Sequence, residues 1–288
     1  MKKWLKRNTH SLAGKTVAIS GATGGIGREL CAHLCELGAS LLLLDRNEEK
    51  SQALRDTLKT RFPLVNIEGL RLDLEDMSTV KAVADTLSEA PPDYLILNAG
   101  AYSIPRHKCE TGYDNVYQIN FVSPYYLARR LLPLIEARGG KVVAVGSIAH
   151  DYSHIDKTDI DFSSRTAASK VYGNAKRYLM YALLGLGSPS ISVTHPGITL
   201  TGITAHYPKV IFAMIKYPMK VIFMKPRKAS LCILAGIFEE SGTSEWIGPR
   251  LFGVWGIPRK KRLLTASSDE RSEICGIADK IYSELVNK

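Results

Sequence analysis

Thr16-Val17-Ala18-Ile19-Ser20-Gly21-Ala22-Thr23-Gly24-Gly25-Ile26-Gly27 is the stretch that decides the fold. Its first five residues are a short, apolar, β-branched run, which predicts a buried strand. Arg28 to Leu37 then has helical periodicity. Strand, glycine turn and helix in that order are the context a dinucleotide fingerprint needs. Glycines let the backbone turn tightly and approach a pyrophosphate at the positive N-terminus of the helix. The spacing is Gly-x-x-x-Gly-x-Gly rather than Gly-x-Gly-x-x-Gly. A plain turn is the competing explanation.

Outward from this unit, strands and helices alternate. Ser40 to Leu44 reads as a strand ending at Asp45, and Asn47 to Arg61 as a polar helix. Asn66 to Arg71 predicts a short strand, followed by Leu72-Asp73-Leu74. Ser78 to Leu87 predicts an amphipathic helix with Ser78 as N-cap. Tyr94 to Leu97 is a strand running into Asn98-Ala99-Gly100, and a long helix should span Gly112 to Arg130. Lys141 to Val145 is a strand ending at Gly146-Ser147, Thr166 to Leu186 a helix, and Ile191 to Thr194 a strand ending at His195-Pro196-Gly197. This alternation predicts an α/β fold, a doubly wound, mostly parallel Rossmann-type sheet covered on both faces. Ligands of such sheets bind at the carboxyl ends of strands, where these motifs fall.

Tyr172 and Lys176 form Tyr-x-x-x-Lys. Of thirteen tyrosines this one alone has lysine four places later. On a helix that spacing puts both side chains on one face. A free tyrosine has a pKa of about 10, so little is phenolate at neutral pH. A nearby ammonium favours the phenolate and moves the group toward acid or base work.

At 288 residues the chain fits one large α/β domain. Its 45% hydrophobic and 23% charged content is that of a soluble globule. No apolar stretch reaches membrane-spanning length. The basic start, Met1 to Arg7, is followed by no apolar signal region, so export is not expected. Five scattered cysteines suit a reducing cytoplasmic compartment. Cys31 and Cys35 share a helix face, which favours packing. No histidine cluster completes a site, so no metal is expected.

The net charge of +10 is uneven. Between Asp161 and Glu239 there is no acidic residue, but Arg165, Lys170, Lys176, Arg177, Lys209, Lys216, Lys220, Lys225, Arg227 and Lys228 are basic. Part of this charge would serve an anionic cofactor. The rest suggests an anionic substrate or peripheral contact with an anionic membrane, against a plain solvated face. Nucleic-acid readout motifs are absent, so no nucleic acid is expected.

With these motifs in order, the chain resembles a short-chain dehydrogenase/reductase over about Leu12 to Thr201. The glycine loop at Gly21, Thr23, Gly25, Ile26 and Gly27 is joined by Asp73, Asn98-Ala99-Gly100, Asn120, Ser147, Tyr172 with Lys176, and Pro196-Gly197. The longer gap from Ser147 to Tyr172 is similar to that of the retinol-dehydrogenase-like branch. Here that loop carries Asp151, Asp156, Asp159 and Asp161. The resemblance implies an NAD(P)-dependent oxidoreductase that interconverts an alcohol and its carbonyl. Tyr172 would transfer the proton, and Lys176 would lower its pKa and hold the nicotinamide ribose. Ser147 would hydrogen-bond the substrate oxygen, and Asn120 would hold a water linking Lys176 to solvent. Leu74, Ala99, Pro196, Gly197 and Thr199 would complete the cofactor contacts. Each residue also has a structural explanation: Ser147 as a turn residue, Asn120 as a partner of buried backbone, Asp73 as a helix cap, Asn98 as an Asx turn.

Asp45, at the end of the second strand, would hydrogen-bond an adenosine 2′-hydroxyl and repel a 2′-phosphate. Arg46 could instead pair with that phosphate. NAD is favoured, with NADP as the alternative; a helix cap is the structural explanation for Asp45. A single domain over 1–288 is expected, with 12–201 as cofactor-binding and catalytic core and 202–288 as substrate lid and C-terminal extension. Two apolar runs in the lid, Val210 to Ile215 and Val221 to Met224, imply a small apolar substrate that is lipid-, steroid- or retinoid-like. Lysines between them would suit a membrane-peripheral protein. Tyr125, Tyr126, Tyr178 and Tyr181 on the two long helices suggest a homodimer or homotetramer. A non-catalytic cofactor sensor or scaffold on the same fold is the alternative function.

Overall fold

The computed structural model describes residues 1–199, 223–240 and 242–287. The expected lid runs therefore lie largely outside the described residues. Eight strands form one sheet in the order β3-β2-β1-β4-β5-β6-β7-β8. They are β1 (Thr16–Ser20), β2 (Ser40–Asp45), β3 (Ile67–Arg71), β4 (Tyr94–Leu97), β5 (Lys141–Val145), β6 (Ile191–Thr194), β7 (Glu245–Leu251) and β8 (Trp255–Arg262). Neighbours from β3 to β7 are parallel, and β7 and β8 are antiparallel.

The helices are α1 (Lys2–Asn8), α2 (Gly25–Glu36), α3 (Glu48–Arg61), α4 (Met77–Glu89), α5 (Asn115–Tyr117), α6 (Ser123–Ala137), α7 (Ala168–Gly185), α8 (Pro226–Phe238) and α9 (Ser268–Val286). A π turn, Gln118–Val122, joins α5 to α6. Alternate strand residues face opposite layers, as a period of two requires. Val17, Ile19, Leu41 and Leu43 pack with α1, α2, α3 and α8. Ala18, Leu95, Val142 and Val193 pack with α4, α6, α7 and α9. The α4 cap is Asp76, whose carboxylate accepts from Ser78 N, rather than Ser78 itself.

Strand order reverses between β1 and β4, the switch point where such sheets open a crevice. Two loops are stitched together there. Asn98 Nδ2 donates to Ser20 O and Gly21 O, both at 3.0 Å. Ser20 Oγ accepts from Asn98 N at 3.1 Å and Ala99 N at 3.0 Å. Gly21 has φ +68°, and a Cβ there would stand 2.9 Å from Ala99 Cα. Glycine is thus required by the approach of the two loops as well as by the turn.

Two features depart from expectation. The stretch read as lid and C-terminal extension adds two strands to the sheet: His195 N donates to Ile247 O at 2.7 Å, and β7 continues into the β8 hairpin. The long helices also do not present their tyrosines outward. Tyr125, Tyr126, Tyr178 and Tyr181 are all buried within the chain. Much of the cover is α9 and the segment before it. Tyr126 packs on Tyr282 with centroids 5.6 Å apart, Tyr125 OH bonds Asp279 at 3.3 Å, and Tyr181 OH bonds Thr265 Oγ1 at 2.7 Å. The aromatic surface from which self-association was expected is interior.

Candidate active site

The first turn of α2 leaves backbone N–H groups without intrahelical acceptors. Gly24 caps it with no side-chain bond, and no acid lies in that turn. The positive end therefore opens uncompensated onto a cleft of about 770 Å³. Gly21, Thr23, Gly25, Ile26, Gly27, Asp45, Arg46, Asp73, Leu74, Asn98, Ala99 and Gly100 all line that cleft. This donor-rich end and glycine floor fit the pyrophosphate of a dinucleotide. Pro196, Gly197 and Thr199 do not line it; Thr199 is buried and bridges to Met224.

Asp45 is buried, and much of its bonding capacity is spent inside the chain. Its carboxylate accepts from Thr23 N at 3.2 Å, Thr23 Oγ1 at 3.0 Å and Ser51 Oγ at 3.3 Å. Burial raises its pKa, and these bonds oppose the rise. It does not cap α3; Asn47 does, accepting from Lys50 N. Asp45 instead clasps the glycine loop to the end of β2. Arg46 is exposed beside it, 3.2 Å from Glu75. Asp73 is likewise no helix cap, since it accepts from Glu75 N in a tight turn.

Asn120 sits in the π turn and is fully buried. Both hydrogens of its amide are used, on Ala101 O and Val116 O at 2.8 Å. Its Oδ1 accepts from Ala101 N at 3.2 Å. A Cβ on Gly100 would lie 2.8 Å from Asn120 Oδ1 and 3.5 Å from Lys176 Nζ. Gly100 is therefore the point where the cofactor cleft meets the polar groups beneath it.

Tyr172 and Lys176 share a face of α7, with Lys176 Nζ 5.8 Å from the Tyr172 ring centroid. Lys176 is buried and donates to Val145 O at 2.8 Å. Burial lowers its pKa to about 7. Burial pushes the partly buried Tyr172 up to about 12; a hydrogen bond from Ser147 opposes this, and Tyr102 adds to it. Lys176 does not hold the phenol down here, contrary to the expectation from spacing. Ser147 also caps the short 3-10 helix Ile148–Tyr152 by accepting from Ala149 N at 3.2 Å. It is a turn residue and a partner of Tyr172 at once.

Tyr102 was not anticipated. It packs edge-on against Tyr172, centroids 5.3 Å apart, and lines the cleft. Its one signal was position, two residues beyond Gly100. Glu75, His107 and Cys109 also gather ligand-type atoms within 4.8 Å of one another at the cleft mouth. Asn115 Nδ2, held by Pro105 O, faces His107 Nδ1 at 3.1 Å. That leaves the proton on Nε2, which lies 3.0 Å from Glu75 Oε2. His107 and Glu75 are thus already paired with each other. The acidic loop is likewise self-satisfied. Asp156 pairs with Arg165, Asp159 accepts from Ser163 and Ser164, and Asp161 accepts from Asp114 N at 2.8 Å. It borders a second cleft of about 760 Å³; Ser147, Tyr172 and Lys176 line neither that cleft nor the glycine-lined one.

Fold and site together define an α/β protein of the Rossmann class with Ser147, Tyr172 and Lys176 grouped at the carboxyl end of β5, Lys176 reaching Gly100 at the edge of the switch-point cleft. The chain belongs to the short-chain dehydrogenase family, whose family model matches residues 15–173. Among curated relatives, an Aspergillus nomiae short chain dehydrogenase is 37% identical over 155 residues, 50% of this chain and 42% of its own. Human retinol dehydrogenase 13 is 27% identical over 68% of this chain and 62% of its own, and mouse polyprenol dehydrogenase 27% over 75% and 69%. The chain thus spans well under two thirds of the first of these relatives. Among solved structures, an uncharacterised Mycobacterium Paratuberculosis protein shares the fold with TM-score 0.72 at 24% identity, covering 98% of this chain and 97% of its own. A short-chain dehydrogenase from Sphingobium yanoikuyae in complex with NADPH has TM-score 0.55 at 25% identity, covering 72% and 85%. Among the described residues no helix is long and apolar enough to cross a membrane.

Proposed function

We propose that this protein is an NAD(P)-dependent oxidoreductase that interconverts an alcohol and its carbonyl on an apolar, lipid-, steroid- or retinoid-like substrate. The observation that carries the reading is Ser147 bonded to Tyr172, Tyr172 packed on the cleft residue Tyr102, and Lys176 reaching Gly100 at the edge of the glycine-lined cleft. The nicotinamide, when bound, supplies or accepts the hydride. Tyr172 gives its phenolic proton to the carbonyl oxygen in reduction and takes it back in oxidation. Ser147 hydrogen-bonds that oxygen and then the phenolate. Lys176 holds the ribose and relays the replacement proton, with Asn120 Oδ1 placing a water on the path. Relatives named for retinol and polyprenol support an apolar substrate. A non-catalytic sensor or scaffold would need none of the proton-transfer set. Cofactor absorbance followed against a panel of alcohols and carbonyls separates the readings. No change with any of them would favour the sensor.

The pKa directions imply a pH dependence for this reading. With Tyr172 near 12, the free protein holds it protonated at neutral pH, ready as an acid. Carbonyl reduction should show a kcat/KM that is flat in tyrosine protonation from pH 7 to 9. Alcohol oxidation needs the phenolate and should rise about tenfold per pH unit over that range. Initial rates in both directions check this; a flat oxidation profile would remove Tyr172 as the base.

For the cofactor we favour NAD, because the Asp45 carboxylate would repel a 2′-phosphate. The NADPH of the Sphingobium neighbour keeps NADP as the alternative. Asp45→Ser should shift the NADP-to-NAD affinity ratio at least about tenfold toward NADP, with Arg46 free to meet the phosphate. It also loosens Thr23, so affinity for both cofactors should fall somewhat. Fluorescence titration of both cofactors decides it; a wild-type preference for NADP would sink the NAD reading. A homodimer or homotetramer would have to pair through a surface other than the four buried tyrosines. We place the protein in the cytoplasm, with peripheral contact to an anionic membrane.

A further inference from the structure

The β7–β8 hairpin carries an exposed apolar strip that the proposed reaction leaves unused. Phe252, at its turn, is 96% exposed, and Leu251, Trp255 and Ile257 are exposed beside it at 47%, 43% and 41%. Leu251 stands opposite Trp255 across the hairpin, and Ile257 follows on the same face of β8. The strip is therefore continuous.

Folding does not account for Phe252. The turn closes with Val254 N donating to Leu251 O at 2.9 Å, and Phe252 has φ +49° before Gly253 at +72°. Tight hairpin turns of this kind favour asparagine or glycine; a bulky aromatic there is strained. The strained aromatic buries almost nothing in return.

The strip is bordered by cations. Arg250 and Arg259 are exposed and make no ion pair among the described residues. Lys228 Nζ lies 3.4 Å from the Trp255 ring centroid. An exposed aromatic tip fringed by unpaired cations is the composition that seats at a lipid interface. A second copy fits poorly, because pairing two β8 edges antiparallel would set Arg259, Lys260, Lys261 and Arg262 against one another.

The tip also lies beside the site. β7 runs parallel to β6, so Leu251 ends on the side where the cleft opens. A Cβ on Gly253 would be 3.2 Å from Ile148 Cγ2, next to Ser147. Val254 O packs against Gly197, in the turn after β6.

We propose that the Leu251–Ile257 hairpin tip docks on an anionic lipid bilayer, with Phe252 and Trp255 in the interface and Arg250, Arg259 and Lys228 at the headgroups. The docking rests on the proposed apolar substrate for its purpose, which is uptake of that substrate beside Ser147. Sedimentation with phosphatidylserine–phosphatidylcholine vesicles, against phosphatidylcholine alone, tests it at low and high salt. Wild type should partition to the anionic vesicles and release as salt rises. Phe252→Asn should lower partition at least about tenfold while Tm holds or rises, since asparagine accepts positive φ. Arg250→Gln with Arg259→Gln should lower it about 25-fold, near fivefold per charge. Turnover of a water-soluble carbonyl should be unchanged in all of them, so docking and catalysis are read separately. Variants that sediment like wild type overturn the proposal. So does a wild type that ignores anionic vesicles or that binds single-stranded RNA in their place.

Discussion

Tyr172→Phe is expected to lower turnover about 10²–10⁴-fold while cofactor affinity stays near wild type. The ring keeps its edge-on contact with Tyr102, so packing is preserved. What is lost is the hydroxyl that Ser147 bonds and that donates to the substrate oxygen. Burial raises the phenol to about 12, so at neutral pH it is protonated and able to donate. Single-turnover rates with saturating cofactor, beside a cofactor titration, check both halves. A variant that keeps more than about a tenth of its activity would show that the proton comes from elsewhere.

Arg177→Ala is expected to cost about 3–5 kcal/mol of stability, a fall in Tm on the order of 10 °C. Arg177 is wholly buried, one residue beyond Lys176. Its guanidinium donates from Nε to Glu270 Oε1 and from a second nitrogen to Glu270 Oε2, each at 2.7 Å. It also bonds His150 O at 3.0 Å and Thr265 O at 2.7 Å. One side chain thus ties α7 to α9 and to the segment after Ser147. Removing it leaves a carboxylate and two carbonyls short of partners in a largely dry interior. Arg177→Lys should recover only part of the loss, because an ammonium cannot match the planar fork. Arg177→Met with Glu270→Leu should lie closer to wild type than either single change, since no lone charge is left behind. Denaturant unfolding checks the series. A loss under about 1 kcal/mol in Arg177→Ala would mean that the pair is solvated in solution.

Some of this was legible in the chain itself. The β1 run, the glycine spacing and the period of α2 are signals carried within one unit, where local geometry sets the outcome. Tyr172 and Lys176 are one helical turn apart, so one helix was enough to bring them together. The motifs after β1, β2, β4 and β5 converge because parallel strands put their carboxyl ends at one edge. Other parts were not legible. β7 and β8 hold glycine, prolines and a basic run in place of alternating apolar residues, and only pairing with β6 makes them strands. The four tyrosines of the long helices looked like a surface, because nothing local announces that α9 lies over them.

By itself the sequence determined the doubly wound scaffold, the glycine loop and the tyrosine–lysine pair, all fixed by spacings of a few residues. The tertiary structure decided what those groups feel. The acid-free window from Asp161 to Glu239 looked like a surplus of charge. Folding gives Arg227 to Glu29 and Glu36, some 191 to 198 residues away, and Arg177 to Glu270, 93 residues away. It also turned Lys176 toward a carbonyl and buried Tyr172 enough to reverse the expected direction of its pKa. Charge and solvation depend on distance in space, and strand order and helix cover set that distance for residues far apart in the chain.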